Sequence, residues 1–339
     1  MPDDIAARID AWLALCPDPA NDPFIGMEQA GLFGPEPNYS AIAVIECALV
    51  ERTGLLGVAS AWGGRQLVGR HFIEGFGTQA QRAAWRGRGA SVAISEPGAG
   101  AHPKLLTTRA IIDGETVRIT GEKAWVSNGP SADVIIVFAI TAEEAGRKRY
   151  GAFLVPKETP GLNFREIPEF HALRPSRHCG LAFDNCTVPL GAQLGPEGLA
   201  YEQMALPFRD IEDAVGTLGL LGGYRFLLSR LGNGGHANEE EALSLGGLVA
   251  LTAVFAVAAD AVVASLDAGR LNRTAAVLVG VRVLAAEILA RAEGHRAQFK
   301  LAGDPAVTEM LADIAAVLSI ARGPRQARQA RLGAALLPR

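Results

Sequence analysis

Two segments of this chain combine hydroxyl side chains with glycines in a pattern suited to a flat polar ligand. They are SVAISEPGAG at residues 91–100 and GEKAWVSNG at residues 121–129. Each is a short apolar strand that enters a tight turn, where glycine lets backbone N–H groups approach a ligand closely. Ser95 and Ser127 add donors, and Trp125 adds a flat apolar face. Either turn alone is equally compatible with an ordinary connection between strands. Together they predict a site for a planar polar ring such as a flavin.

The pair resembles the central motifs of the acyl-CoA dehydrogenase family, a Ser/Thr-Glu-Pro-Gly-Ala-Gly-Ser-Asp turn and a Lys-x-Trp-Ile-Thr-Asn-Gly strand. Two more segments are similar to that family. One is the helix start FGTQAQ at residues 76–81, and the other comprises the LRPS, GLAFD and VP elements between residues 173 and 189. The resemblance is strong from about residue 55 to about residue 220 and fades beyond, so it bears most directly on the central part of the chain.

The resemblance implies that FAD binds between the β-domain and the C-terminal bundle. The flavin then takes a hydride from the β-carbon of an acyl-CoA while a glutamate removes the α-proton. Carried over by position, Ser95 hydrogen-bonds the flavin's polar edge, Trp125 packs against the ring and Ser127 reaches the region of N5. Gly100 and Ala101 face the pyrophosphate. The predicted cofactor-binding residues are Ile94, Ser95, Gly100, Ala101, Trp125, Val126 and Ser127, and the predicted substrate-binding residues are Ala101 and Arg209.

The chain departs from the family pattern at several positions. Ala101 replaces the usual serine, which removes a donor worth about 1 kcal/mol net, and His102 replaces the usual aspartate. The family's Arg-Lys-x-Phe-Gly segment, which helps to bind the FAD of the partner subunit, should follow Arg230. Residues 231–236 are LGNGGH instead. We therefore expect flavin binding through the β-domain and a weakened contribution to a neighbour's flavin.

The catalytic base is missing from both positions at which the family carries it. Abstraction of a thioester α-proton needs a carboxylate of raised pKa in a dry pocket. Arg322 stands where a C-terminal Ile-x-Glu-Gly-Thr segment has its glutamate, and an arginine stays protonated. Phe208 and Arg209 stand where other members have a Glu-Arg pair at the start of the first bundle helix. The sequence therefore leaves the base unassigned.

Two interpretations follow from the missing base. In one, Glu212 takes over, because it and Asp213 lie one helical turn beyond Arg209 and share its face. Both acids are also compatible with a solvated or ion-paired helix surface. In the other, which the sequence favours, the chain works beside a catalytic partner, as paired unlike subunits of this family do on bulky CoA thioesters such as steroid side chains. The chain alone is then expected to have little or no dehydrogenase activity.

The resemblance thus implies an FAD-dependent acyl-CoA dehydrogenase subunit for α,β-desaturation of an acyl-CoA, of the fatty-acid or steroid side-chain type. It implies a homo-oligomer, or a hetero-oligomer with another acyl-CoA dehydrogenase-like subunit. A non-catalytic structural subunit and a flavin oxygenase with the same fold stay open as alternatives. The arginine-rich tail either contacts CoA phosphates or a partner's acidic surface, or is a frayed terminus. Its arginines are Arg322, Arg325, Arg328, Arg331 and Arg339.

Length, composition and charge limit the classes of protein to which this chain can belong. The 339 residues are 49% hydrophobic and 20% charged, enough for two or three domains with a large core. The net charge of −4 argues against a general nucleic-acid binder. The four cysteines and six histidines show no metal-ligand spacing, so no metal is predicted. No signal peptide is apparent, and the apolar run at residues 243–259 is short for a membrane span. We expect a cytoplasmic protein without a membrane span.

Hydrophobic periodicity divides the chain into three parts. Helical spacing at residues 40–51 gives way to short β-rich runs from about residue 92, and long helical patterns return past residue 197. The predicted fold class is α+β, acyl-CoA dehydrogenase-like, with a central antiparallel β-domain and a C-terminal four-helix bundle. The predicted domains are a helical domain at 1–91, the β-domain with the flavin motifs at 92–197, and the bundle with its arginine-rich tail at 198–339. The four bundle segments are predicted at about 198–231, 238–268, 271–301 and 304–321.

Overall fold

The computed structural model describes residues 3–34, 36–167, 171–234, 238–299 and 303–337. Within these ranges the chain forms α-helices and β-strands in three successive groups. The helices are α1 (Asp3–Leu15), α2 (Tyr39–Thr53), α3 (Leu56–Val68), α4 (Gln79–Trp85), α5 (Leu206–Gly234), α6 (Glu239–Asp267), α7 (Ala275–Gln298), α8 (Pro305–Ser319) and α9 (Arg322–Ala334). The strands are β1 (Ala90–Ala93), β2 (Arg109–Asp113), β3 (Thr116–Ser127), β4 (Val134–Glu144), β5 (Arg147–Pro156), β6 (Leu162–Glu166), β7 (His178–Pro189) and β8 (Gln193–Leu194).

Local capping signals fix the ends of the N-terminal helices. The Asn38 side chain accepts a hydrogen bond from Ala41 N at the start of α2, and α2 ends at Gly54 in the left-handed conformation. In the FGTQAQ segment, Thr78 and Gln81 form a reciprocal capping box that begins α4. The helix start expected from that segment is therefore present, directly before the β-domain.

The β-domain is a single eight-stranded sheet in the order β6-β7-β3-β2-β4-β5-β8, with β1 also paired to β4. The pairs are antiparallel except for β1 with β4 and β2 with β4, which are parallel. The sheet is therefore mixed, where the sequence predicted antiparallel strands. The difference arises because β1 and β4 are joined by a long crossover through β2 and β3, and period-2 patterning does not reveal strand direction. The predicted order along the chain, helical part first, then β-domain, then helical bundle, is confirmed. The domain boundaries stay predictions.

Strand β4 is buried on both faces and connects the two hydrophobic cores. Val134, Ile136 and Phe138 belong to the larger core, which the sheet shares with the helices. Ile135 and Val137 point the opposite way into a smaller core within the β-domain. Because both faces are packed, the sheet is a rigid support for the turns at its strand ends.

The C-terminal part contains the four predicted helical segments as α5 to α8, and adds α9. Helix α9 is built from the arginine-rich tail, so the described part of the tail is helical rather than frayed. The end of the third predicted segment falls on residues 300–302, which lie outside the described residues, as do His236 and Arg339.

Helix α6 is, among the described helices, the one that is long and apolar enough to cross a membrane by length and composition. It packs in the bundle against α5, where the rings of Phe255 and Tyr224 meet edge to face at 5.4 Å. Its opposite face is exposed and carries large apolar side chains. These are Leu243, Val249, Val254 and Val257. One face of α6 is therefore packed in the bundle and the other is exposed.

Candidate functional site

The two glycine-bearing segments lie against each other because they share hydrogen bonds. Ala124 N donates to Ser95 O at 2.9 Å, and Ser91 Oγ donates to Ser127 O at 2.8 Å. These bonds join β1 and the residues that follow it to the C-terminal part of β3. The structure therefore brings together the two motifs that the sequence singled out.

A buried ion pair between the same two segments was missed by the sequence analysis. Lys123 Nζ donates to Glu96 Oε1 at 2.9 Å and to Ile94 O at 3.0 Å. The Glu96 carboxylate also accepts from the backbone N–H groups of Thr107 and Thr108, at 2.6 and 2.9 Å. Burial alone would raise the pKa of Glu96, but Lys123 and Thr108 outweigh it and lower that pKa to about 2. The sequence signal that could have revealed this pair was an acidic residue, Glu96, in one apolar motif and a basic residue, Lys123, in the other.

Trp125 lies on a β-bulge that turns its indole out of the sheet. The register of β3 against β7 shifts between Lys123 and Val126, and Trp125 has a φ of 61°. Such a left-handed conformation is unusual for a bulky residue, and bulges commonly re-aim a side chain at a functional site. The Trp125 side chain is 49% exposed, whereas Val126 is fully buried. Val126 therefore presents no accessible surface of its own here, and its predicted contact with a cofactor stays a prediction.

The turn after β1 is closed by its own backbone. Gly98 and Gly100 have φ values of 70° and 56°, which only glycine adopts readily. The N–H groups of Ala99 and Gly100 both donate to Glu96 O, so these two amides are engaged within the turn. Among the other predicted cofactor-binding residues, the half-buried ones are Ile94, Ser95, Ala101 and Ser127. The hydroxyls of the two serines are thus better placed as ligand donors than the Gly100 amide.

Tyr201 connects the two predicted substrate-binding residues. Its hydroxyl donates to Ala101 O. Arg209 lies beside the same phenol: burial raises the pKa of Tyr201, and the charge and hydrogen bond of Arg209 oppose that rise. Tyr201 opens a π-helical turn, Tyr201–Ala205, that leads into α5. The start of α5 is thereby tied to the turn after β1.

The two positions at which the family carries a base have other roles here. Phe208 is 1% exposed and belongs to the core, where its ring stacks on His71 at 5.3 Å and meets Phe72 at 4.6 Å. Arg322 is exposed as the first residue of α9. Neither position holds an acid, as the sequence indicated.

Glu212 lies on α5 next to the ion-paired Asp213. Its side chain is accessible to solvent, yet it is so surrounded by protein that burial raises its pKa to about 8. The negative charge of Asp213 contributes to this rise, while Arg209 and Arg325 oppose it. An accessible carboxyl enclosed in this way has the property required of a general base near neutral pH.

Asp213, the neighbouring acid, is instead an ion-paired structural residue. Its Oδ1 accepts from Arg282 at 3.2 Å and from Arg325 of α9 at 2.6 Å. Arg328 of α9 pairs in the same manner with Asp210. These pairs hold α9 across the beginning of α5, next to Glu212. Across the described ranges, no group of three or more His, Cys, Asp or Glu side chains is arranged to hold a metal ion.

Comparison with known proteins assigns the central domain. Residues 91–186 match the family model described as acyl-CoA dehydrogenase, middle domain. Cyclohex-1-ene-1-carbonyl-CoA dehydrogenase from Geobacter metallireducens is 37% identical over 114 residues. That alignment covers 34% of this chain and 30% of the relative, so the chain matches about a third of the length of its curated relative.

The likeness to solved structures extends over the whole chain but at low identity. Butyryl-CoA dehydrogenase from Megasphaera elsdenii superposes with a TM-score of 0.81 at 18% identity, covering 99% of this chain and 97% of that one. The prolyl acyl carrier protein oxidase AnaB superposes with a TM-score of 0.81 at 18% identity, covering 99% of each chain. At this identity the superpositions show a shared fold.

Proposed function

We propose that this chain, whose residues 91–186 match the acyl-CoA dehydrogenase middle domain, binds FAD and oxidises an acyl thioester between its α- and β-carbons. The observation that carries the proposal is the union of the two motif segments by the Glu96–Lys123 pair and the Ala124–Ser95 bond. That union sets Trp125 near the turn after β1 and Ser127 beside Ser91 of β1. Tyr201 ties the same turn to the start of α5, the helix that carries Glu212.

The residues around the two motifs fit a flavin. Trp125 exposes a flat ring surface on a bulge, which suits packing against an isoalloxazine ring. Ser95 and Ser127 are half-buried and offer hydroxyl donors for the ring's polar edge. We assign the flavin contacts to these three side chains, with Ile94, Gly100, Ala101 and Val126 around them. FAD, when bound, supplies the acceptor for the hydride lost from the β-carbon.

Glu212 is the base of this proposal. With a pKa of about 8 it is partly ionised at neutral pH and can accept the α-proton of the thioester onto its carboxylate. Arg209 stands beside Glu212 and Tyr201, where its positive charge can stabilise the enolate that forms as the proton leaves. Tyr201 and Ala101 position Arg209 from the side of the flavin motifs.

A second candidate is a subunit that relies on a partner for its base. The observation that favours it is the exposed apolar face of α6, where Leu243 is 78% and Val257 is 73% exposed. Such a face is typical of subunit contacts. In this case Glu212 does not take the proton, and the homomer binds FAD and thioester without turnover. We place the protein in the cytoplasm in either case.

Flavin content tests the assignment of the site. We expect the purified protein to carry FAD, and the double variant Trp125→Ala, Ser127→Ala to lose most of it while keeping its helical circular dichroism. Trp85→Ala with Thr187→Ala, the same substitutions outside the motifs, is the matched control and should retain FAD. Unchanged flavin content in the motif variant would overturn the site. A colourless wild-type protein would favour a non-catalytic structural subunit, and rapid oxygen consumption by the reduced protein with oxygenated product would favour a flavin oxygenase.

A further inference from the structure

Glu46 is a second acid at this site, and the described residues provide its carboxyl with no hydrogen bond or ion pair. It lies on α2 and is 6% exposed. A Cβ on Gly63 of α3 would overlap Glu46 Oε1, and a Cβ on Gly219 of α5 would lie 3.3 Å from Oε2. Two glycines thus make the space in which this carboxyl is held. A buried acid without a partner is costly, which calls for an explanation.

One face of α5 connects Glu46 with Glu212. Residues 212, 216 and 219 are spaced i, i+4 and i+7 and therefore share a face. A Cβ on Gly216 would meet nothing within 4 Å, so the space beside this residue, on the face between the two acids, is open. Seven residues of helix span about 10 Å, a distance comparable to the length of an acyl chain of several methylene groups. The negative charge of Glu212 adds to burial in raising the pKa of Glu46 to about 8.

We infer that Glu46 selects acyl thioesters whose acyl group ends in a positively charged amine. The inference rests on the proposed function: with the α-carbon beside Glu212, the acyl chain follows the glycine face of α5 and its ammonium group meets the Glu46 carboxyl. A methyl group at the same place would leave that carboxyl buried and unpaired.

The arginines around the site are engaged by groups other than Glu46. Arg325 is engaged by Asp213 at 2.6 Å, and Arg209 lies beside Tyr201 and Glu212. Within the described residues no cation pairs with Glu46. An incoming ammonium group would therefore supply the missing partner, and a hydrogen bond to a charged group is among the stronger ones.

The test compares ligands that differ only in the terminal group. The FAD-loaded protein is titrated calorimetrically with 6-aminohexanoyl-CoA and heptanoyl-CoA, and with the shorter pair 3-aminopropanoyl-CoA and butanoyl-CoA. We expect 6-aminohexanoyl-CoA to bind at least tenfold more tightly than heptanoyl-CoA. In Glu46→Gln this preference should fall by about ten- to a hundredfold. The matched control is Glu51→Gln, which makes the same change on the same helix away from the open space beside Gly216. It should retain the preference.

A second variant tests whether the acyl chain occupies the open space beside Gly216. Gly216→Ala adds one methyl group to the open space and should weaken 6-aminohexanoyl-CoA and heptanoyl-CoA alike, whereas Gly232→Ala, an equally unobstructed position on α5, should weaken neither. Equal wild-type affinities for the amine and methyl ligands, or a preference that survives Glu46→Gln, would overturn the inference and leave the proposed function standing. Failure of every CoA thioester to bind would remove the proposed function, and this inference with it.

Discussion

Glu96 and Lys123 hold the two flavin-motif segments together from inside the β-domain. Their side chains are 4% and 0% exposed, and each is fully engaged by neighbours that belong to the two motifs or to the turn between them. Removing one partner of such a buried pair leaves the other charged and unpaired, which typically costs about 3–5 kcal/mol. The pair therefore contributes to the stability of the domain and to the alignment of Ser95 with Trp125.

The first prediction concerns how the free energy of unfolding changes at low pH. The pKa of Glu96 in the folded chain, about 2, lies below its ordinary value of 4.5. Its contribution is therefore complete above pH 4.5 and is lost as the pH falls toward 2. It amounts to about 3 kcal/mol. Urea unfolding between pH 3 and pH 7 should show a flatter pH dependence in Glu96→Gln, with lower stability at pH 7.

Glu122→Gln is the matched control for this prediction. Glu122 neighbours Lys123 on the same strand, but its ion pair with Arg165 is about half exposed, and such pairs contribute little. Its pH profile should follow the wild type. If Glu96→Gln also kept the wild-type slope below pH 4.5, the buried pair would have no such role.

Helix α9 is the element that closes the region around Glu212. Its N-terminal side is fastened by Arg325, which pairs with Asp213 and also donates to Val317 O at 3.1 Å. Arg328 pairs with Asp210 one turn earlier on α5. No side chain of α9 is buried, so these ion pairs, rather than an apolar seam, hold the helix in place.

The second prediction is that Arg325→Ala releases α9. Asp213 keeps Arg282 as a partner, so the free energy of unfolding should fall by only about 1–2 kcal/mol. Amide hydrogen exchange in residues 322–334 should nevertheless become faster, because α9 can then open locally without breaking the Arg325–Asp213 ion pair. Arg331→Ala removes an exposed arginine from the same helix and should change neither. Equal exchange rates in both variants would show that α9 is held by other contacts.

At the scale of the whole molecule, local patterns predicted the order of elements but not the contacts between them. The periods of 3.6 and 2 residues are properties of each segment, so the helical parts and the β-domain could be identified from them. The motif segments were also found, together with Trp125 and Ser127. The parallel pairing of β1 with β4 could not be found, since strand direction depends on the path of the chain between them.

The same limit explains what was missed in the site. The tail was left open between a frayed terminus and a docked segment because Arg325 and its partner Asp213 are 112 residues apart. Glu46 drew no attention for a similar reason: its carboxyl is surrounded by Gly63 of α3 and Gly219 of α5, and only the fold brings these three residues together. Acids in ordinary helical positions gain their chemistry from such distant neighbours.

The anaerobic reaction of the flavin with an acyl thioester tests the central claim most directly. The FAD-loaded wild-type protein is mixed with CoA thioesters, including 6-aminohexanoyl-CoA and butanoyl-CoA, and the loss of flavin absorbance is followed by stopped flow. We predict rapid bleaching whose rate rises with pH toward 8, because Glu212 must be ionised to accept the proton. Glu212→Gln should keep its FAD and bleach about 10²- to 10⁴-fold more slowly, whereas Glu202→Gln, an exposed acid at the same end of α5, should match the wild type. Bleaching at the wild-type rate in Glu212→Gln, or none in the wild-type protein with any thioester, would contradict the account.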